Sequence, residues 1–184
     1  MRKFIGFLIL TFCMLALLSV GASAVTLETE ITTGELIVNV GDLEEWIITI
    51  TICPGDDDLE DVVVQGGIGA DLAITKVNDT AVYYPMDKKT EQTVGNVTLI
   101  KKGGKMGATI VKWDIGTLVS NGCLSLELTV QTGLNPKNKQ EFTSAEEGHE
   151  LDGGFSATYW YEGIEYETLE TEPLTVDVVG EDDD

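Results

Sequence analysis

The fold of this chain is decided by one stretch, Glu45-Trp46-Ile47-Ile48-Thr49-Ile50-Thr51-Ile52-Cys53. From Trp46 to Ile52 every second residue is large and apolar, which is a period of two. Successive side chains of a β-strand point to opposite faces of its sheet, so this period gathers the large apolar side chains on one face. The stretch therefore predicts a half-buried strand.

The same period recurs along most of the chain, and no window supports a helix of normal length. Strands are predicted at 36–40, 45–53, 61–64, 72–77, 97–101, 109–113, 123–130, 155–161 and 174–179. Residues that favour turns separate them, among others at 66–69, 103–104, 135–138 and 152–154. This organisation predicts an all-β antiparallel sandwich or barrel, and about 7–9 strands favour the sandwich.

The chain opens with the pattern of a secretory signal peptide helix. Arg2 and Lys3 precede an apolar run from Phe4 to Val20, and Ala22-Ser23-Ala24 supplies the small residues of a cleavage site. The run is also close to the length of about 18 residues that an uncleaved membrane anchor needs. The cleavage site favours removal of the leader. The predicted parts are a signal peptide at 1–24, a β-sandwich domain at 25–179 and an acidic tail at 180–184.

The charge of the chain is strongly lopsided. Without the leader it carries nine basic and 32 acidic residues, a formal charge of −23. Such a surface repels nucleic acid and anionic lipid head groups, so the predicted partners are other cell-surface proteins or copies of this chain. No second apolar stretch of spanning length follows the leader, and no membrane span is predicted after cleavage. The predicted location is secreted, extracellular and associated with the cell surface.

Several segments resemble the repeat domain called DUF11. They are a strand entered through Gly41-Asp42, a Val-rich strand at 59–64, the corner Trp113-Asp114-Ile115-Gly116-Thr117-Leu118 and an alternating strand at 124–130. Residues 135–144 resemble a tail segment of archaeal and bacterial surface proteins that carry this domain. The resemblance spans roughly residues 40–178.

The resemblance to DUF11 implies an immunoglobulin-like sandwich that serves as a spacer, stalk or assembly unit on cell surfaces, without catalytic residues to carry over. The chain departs from the family at Cys53-Pro54-Gly55, where Asn and Gly are usual. It also holds a single copy of the domain instead of an array, which leaves room for a self-assembling subunit.

Two cysteines remain after the leader, Cys53 and Cys123. Each lies on the face opposite its strand's large aliphatic residues, so both thiols are expected to point outward. If the two strands are antiparallel neighbours, the end of one lies beside the start of the other and the sulfurs can meet. An oxidising exterior favours an internal disulfide. Intermolecular links or two free thiols are the alternatives.

An acidic loop follows the first cysteine. Its carboxylates could supply hard oxygen ligands to Ca²⁺, although the spacing of a calcium-binding loop is missing. The alternative is a solvated loop without metal, and no other cofactor is predicted. The candidate ligands are Asp56, Asp57, Asp58, Glu60 and Asp61.

Two sequons occur, at Asn78-Asp79-Thr80 and at Asn96-Val97-Thr98. On an exported chain Asn78 and Asn96 are candidate glycosylation sites, and a glycan would place each of them on the surface.

Near the end of the domain the aromatic run Tyr159-Trp160-Tyr161 is followed by Tyr166. On a strand, Tyr159 and Tyr161 share one face and Trp160 takes the other, so one face is at least partly exposed. Exposed tyrosines of this kind bind sugars or protein partners. The favoured alternative places Trp160 in the core, with the tyrosines covering a sheet edge.

No residue set predicts an enzyme. His149, the single histidine, falls in a polar segment expected to be an exposed loop, and no nucleophile elbow accompanies it. The sequence therefore predicts a non-enzymatic structural or assembly module of the cell surface or extracellular matrix, such as a subunit of a filament, sheath or surface layer. A secreted carbohydrate- or protein-binding module is the alternative. Residues 25–31 either pair with a neighbouring molecule's edge or form the first strand of their own sheet.

Overall fold

The computed structural model describes residues 25–82, 91–101, 108–132, 142, 144–168 and 170–180. These residues form strands and no helix. The strands are β1 (Thr26–Thr33), β2 (Ile37–Asn39), β3 (Glu45–Cys53), β4 (Leu59–Ile68), β5 (Ala73–Val77), β6 (Thr80–Ala81), β7 (Glu91–Val94), β8 (Val97–Lys101), β9 (Thr109–Leu118), β10 (Leu124–Gln131), β11 (Glu146–Glu150), β12 (Asp152–Tyr161), β13 (Ile164–Glu167) and β14 (Thr175–Val179). Nothing in this described part of the chain is a helix with the length and apolar character of a membrane span.

The strands form two large sheets and one small sheet. The order in the five-stranded sheet is β1-β3-β10-β5-β6, and the order in the six-stranded sheet is β13-β12-β4-β9-β8-β7. The small sheet, ordered β11-β14-β2, contains the one parallel pair among the described strands, β14 with β2. The predicted all-β, antiparallel, immunoglobulin-like sandwich is confirmed, and the parallel pair of β14 with β2 is the one departure among the described strands.

The core lies between the inner faces of the two large sheets. Trp46, Ile48, Ile50 and Ile52 are all fully buried, as the period of two in β3 predicts. Side chains from β4, β9, β10 and β12 complete the same cluster, and Val38, Val176 and Val178 extend it into the small sheet. One continuous core therefore joins all three sheets.

The structure differs from the sequence prediction in the number and limits of strands. The described residues form fourteen strands where about 7–9 were predicted, and the sequence analysis missed the short strands β6, β7, β11 and β13. Residues 66–69 were predicted as a turn, but β4 continues to Ile68 because Gly66 pairs with Phe155 of β12 and its missing side chain leaves room for the ring. The turn predicted at 152–154 is likewise wrong, since β12 begins at Asp152.

The first segment after the leader belongs to its own sheet. β1 pairs antiparallel with β3, from Thr26 opposite Cys53 to Thr33 opposite Ile47. Of the two possibilities left by the sequence, intramolecular pairing is the one found. The predicted signal peptide, the tail residues 181–184 and the turns at 103–104 and 135–138 lie outside the described residues.

Candidate interaction surface

The aromatic residues singled out in the sequence lie on a hairpin made of β12 and β13. The two strands are joined by Glu162 and Gly163, whose φ angles are +49° and +76°. Two central residues with positive φ make the tight turn that matches the twist of a hairpin, and Gly163 adopts this conformation without a Cβ penalty. The turn places Tyr161 opposite Ile164 and Tyr159 opposite Tyr166.

The tyrosines of the hairpin share one face and contact each other. The rings of Tyr159 and Tyr166 are stacked, with centroids 5.7 Å apart and planes inclined by 16°. Burial is the main cause that raises the pKa of Tyr159, and the neighbouring Tyr166 raises it further. The pKa of Tyr161 is raised above all by the negative charge of Asp57, then by that of Glu162, and its hydroxyl is hydrogen-bonded to Asp57. The structure thus brings the three predicted tyrosines together beside the acidic loop.

Trp160 lies on the opposite face of the same hairpin. Its side chain is 40% exposed, so the expectation that it belongs to the core is wrong. The reason is that β12 places Phe155 and Ala157 in the core. Side chains alternate between the two faces of a strand, so Trp160 points outward. In register Trp160 lies between Glu165 of β13 and Glu60 of β4. An exposed indole is therefore flanked by carboxylates on both neighbouring strands.

The acidic loop is fastened to the turn between β9 and β10. Asp58 Oδ1 accepts a hydrogen bond of 2.7 Å from the backbone N–H of Ser120, and this bond lowers the pKa of Asp58. The backbone N–H of Asn121 donates to Gly55 O at 2.8 Å. These bonds hold the loop close to the end of the hairpin.

The candidate calcium ligands are not gathered into a site. Asp57 and Asp58 bond to Tyr161 and Ser120, while Asp61 lies within β4 at a positive φ of +49°. No group of three or more acidic, histidine or cysteine side chains suited to a metal ion occurs within the described ranges. The geometry of the loop gives the calcium hypothesis no support.

The two cysteines are bonded to each other. Cys53 at the end of β3 and Cys123 just before β10 form a disulfide across 70 positions of sequence, with Cα atoms 4.2 Å apart. β3 and β10 are antiparallel neighbours, with Ile52 opposite Leu124. This is the arrangement that the sequence argument required. The disulfide, the acidic loop and the hairpin therefore lie at the same end of the sandwich.

Both sequon asparagines are exposed and lie in tight turns. Asn78 has a positive φ of +47°, and its Oδ1 accepts a bond from Glu127 N at 3.0 Å. Asn96 Nδ2, the nitrogen to which a glycan would be attached, donates to Asp114 O at 2.8 Å. Their exposure agrees with the surface position expected of a glycosylation site, and their modification stays a prediction.

His149 was predicted to lie in an exposed loop, and this is wrong. It belongs to β11, and its side chain is 19% exposed. Nδ1 lies 2.8 Å from Glu146 Oε2, and Nε2 lies 2.8 Å from Asp71 Oδ2 without hydrogen-bond geometry. The ring packs edge-on against Phe142 at a centroid distance of 4.6 Å. His149 thus links the small sheet to the segment before β5.

Sequence reasoning missed β13 as part of the surface. Ile164 is 56% exposed and Tyr166 is 42% exposed, and Glu165 and Glu167 alternate with them. The available signal was Gly163 between two alternating segments, since glycine readily adopts the positive φ that a two-residue hairpin turn requires.

Comparisons with known proteins give fold likenesses of low similarity. No family model matches the chain, and no curated protein matches it. A solved exo-β-N-acetylglucosaminidase from Vibrio harveyi has a TM-score of 0.43 and 10% identity, with 85% of this chain and 18% of that chain covered. This chain therefore spans less than a fifth of the length of that enzyme.

Smaller proteins give similar values. A cohesin module from a Clostridium perfringens family 33 glycoside hydrolase has a TM-score of 0.44 and 12% identity, covering 86% of this chain and 99% of that chain. The major pilin subunit of Bacillus cereus has a TM-score of 0.42 and 12% identity, covering 85% of this chain and 40% of that chain. At such TM-scores none of these likenesses supports an inference about what this chain binds or does.

Proposed function

We propose that this chain is an exported, non-enzymatic module of the cell surface or extracellular matrix that acts through contacts with other proteins, as a subunit of a filament, sheath or surface layer. One observation carries the proposal. At the disulfide-tied end of the sandwich, a hairpin of exposed aromatic residues ends in β13, an edge strand with all four residues exposed. The free edge of such a strand presents unpaired backbone N–H and C=O groups, to which a strand of another chain can bond.

Further features support location outside the cytoplasm. The leader pattern at 1–24 is that of a secreted protein. A disulfide persists in oxidising surroundings, and the bond between Cys53 and Cys123 agrees with them. The resemblance to DUF11 points in the same direction. Because the two cysteines pair within the chain, we expect contacts between subunits at this end to be non-covalent.

Electron microscopy and size-exclusion chromatography of the processed chain, purified from exporting cells, test this proposal. We expect the chain to purify in polymers or in complexes with partner proteins, with and without reductant and with and without Ca²⁺. The assembly function would be contradicted if the chain were a monodisperse monomer under all four conditions and were also missing from isolated surface layers and filaments.

The stacked pair Tyr159 and Tyr166 favours the alternative of a carbohydrate-binding module, because ring faces of aromatic residues pack against sugars. A glycan array separates the two. Glycan binding by the monomer that is lost in Y166A and kept in E30Q, a variant on β1, would favour the alternative.

A further inference from the structure

The feature that carries a further inference is the free edge of β13. This strand ends the six-stranded sheet, and within the described residues its partner is β12 alone. Ile164, Glu165, Tyr166 and Glu167 are all exposed. An edge strand presents a row of backbone N–H and C=O groups to which another strand can bond.

The hairpin turn fixes which backbone groups face outward. Tyr161 and Ile164 flank the two-residue turn and therefore form the closing pair, which exchanges hydrogen bonds. Hydrogen-bonded and non-hydrogen-bonded pairs alternate along an antiparallel ladder. Glu165 and Glu167 thus belong to non-hydrogen-bonded pairs and direct their N–H and C=O groups away from β12.

The side chains of β13 alternate in chemistry as well as in direction. Ile164 and Tyr166 lie on the face of the stacked tyrosines, while Glu165 and Glu167 lie on the face of Trp160. Glu60 lies across Trp160 from Glu165. No lysine or arginine occurs anywhere from residue 140 to residue 184. The edge therefore offers an apolar row and an acidic row, and neither strand of the hairpin carries a cation that could neutralise the acidic row.

We propose that β13 is a docking edge for an extended segment of a partner protein in which apolar and basic residues alternate. Backbone hydrogen bonds to Glu165 and Glu167 supply the affinity, and the alternation supplies the specificity. Basic side chains fall opposite the two glutamates, where opposite charges on neighbouring strands attract, and reach the exposed face of Trp160. This inference rests on the proposed function in naming the contact through which the module engages its neighbours.

The charge of the chain disfavours a second copy as the occupant. The net charge is −21, so copies repel one another. The longest described edge strand, β1, carries Glu28 and Glu30 and would set like charges opposite the glutamates of β13. A partner strand with lysine or arginine at every second position meets no such repulsion.

The test uses the intact, disulfide-bonded chain and three synthetic peptides. The probe is an acetylated, amidated Lys-Val-Lys-Val-Lys-Val. One control has the same composition without alternation, Lys-Lys-Lys-Val-Val-Val, and the other is Glu-Val-Glu-Val-Glu-Val. Trp46 and Trp113 are at most 5% exposed, so a change of tryptophan fluorescence on binding reports Trp160. We expect the alternating basic peptide to bind at least about tenfold more tightly than the scrambled peptide, because only alternation matches both rows.

Three variants separate the contributions. E165P removes an outward N–H without removing a bond to β12, and we expect it to weaken binding at least about tenfold. E165Q/E167Q keeps the backbone and removes the charges, and should weaken binding about fivefold even if the proline variant fails to fold. The matched control E30Q, on exposed β1, should stay within about twofold of the wild type. Equal binding of the scrambled peptide, or wild-type affinity in E165Q/E167Q and in folded E165P, would overturn the docking edge.

The results also distinguish this inference from the proposed function. Polymers seen by microscopy without peptide binding would remove the docking edge and leave the assembly function. Peptide binding by a chain that never assembles would support the docking edge and remove the assembly function.

Discussion

Gly66 shows how a single missing side chain positions the hairpin. It lies near the end of β4, opposite Phe155, whose ring is fully buried. A β-carbon at this position would overlap the Phe155 ring and come within 2.6 Å of Gly154 O. The close approach of β4 and β12 therefore requires glycine, and β12 carries the aromatic hairpin.

We expect G66A to lower the free energy of unfolding by about 1–3 kcal/mol, since the added methyl group must displace a buried ring and backbone. The neighbouring variant G67A is the matched control. Its β-carbon would meet Ile110 Cδ1 at 3.7 Å, an ordinary contact, so the change should stay within about 0.5 kcal/mol. Urea unfolding followed by fluorescence measures both. Equal stability of the two variants would contradict the close packing of β4 on Phe155.

Asp152 is a carboxylate that the fold buries almost completely, with 1% of its surface exposed. Oδ1 accepts bonds from Gly154 N at 3.0 Å and Leu174 N at 3.1 Å, whereas Oδ2 is buried without a partner. Burial is the main cause that raises the pKa of Asp152, and the two backbone bonds partly oppose it. The folded chain thus holds this proton more tightly than the unfolded chain does.

A raised pKa means that the contribution of Asp152 to stability is complete below the unfolded pKa and is lost as pH rises through the folded pKa. D152N stays neutral and does not undergo this loss. We therefore expect the stability of D152N relative to the wild type to increase between about pH 3 and about pH 7. Urea unfolding across that interval measures the difference, with exposed D177N as a control. A difference independent of pH would show that Asp152 does not titrate as its burial requires.

At the scale of elements, the long strands were predictable and the short ones were not. β3 and β8 have the limits that the period of two indicated, because their alternation is long enough to count. β6 has two residues and β13 has four, too few for a period. The sequence did not predict that β4 continues through residues 66–68, because glycine favours turns in the local sequence. Here Gly66 is required by Phe155 on the neighbouring strand, which the local sequence does not show.

The candidate site was predicted in part for the same reason. Tyr159, Tyr161 and the two cysteines lie in or next to long alternating segments, whereas Tyr166 lies on the short strand β13. The structure brings the tyrosines together and pairs the cysteines. The exposure of Trp160 depends on which face of β12 points into the core. Phe155 and Ala157 are buried there, so Trp160, on the opposite face, is exposed. Sequence periodicity gives the two faces of a strand but not which of them is covered.

The disulfide joins two adjacent strands and closes a large loop. In the chain-entropy model, a loop of this length stabilises the fold by about 4 kcal/mol. We expect the free energy of unfolding in urea to be lower by about that amount in C53S/C123S than in the wild type. Reductant should lower the free energy of unfolding of the wild type but not that of the double variant. On a non-reducing gel the wild type should run as a compact monomer. A ladder of covalent polymers that collapses with reductant would contradict the internal bond.

At the scale of the whole molecule, one end of the sandwich concentrates the features that favour contact with a partner. Five exposed apolar or aromatic side chains lie at the end of the sandwich that carries the disulfide: Val119, Leu124, Trp160, Ile164 and Tyr166. The acidic loop adds negative charge beside them, and its hydrogen bonds to Ser120 and Asn121 keep it in place. We interpret the sandwich as a rigid support that holds β13 and its aromatic neighbours outward.

We infer that this module meets its partners at the β13 edge. Hydrogen–deuterium exchange resolved to single amides, on the purified monomer and on the protein in its native surface assembly, tests it most directly. We expect fast exchange at Glu165 and Glu167 in the monomer and strong protection of both in the assembly, with Tyr166 protected in each. Slow exchange of the two glutamate amides in the monomer, or fast exchange of both in the assembly, would contradict it.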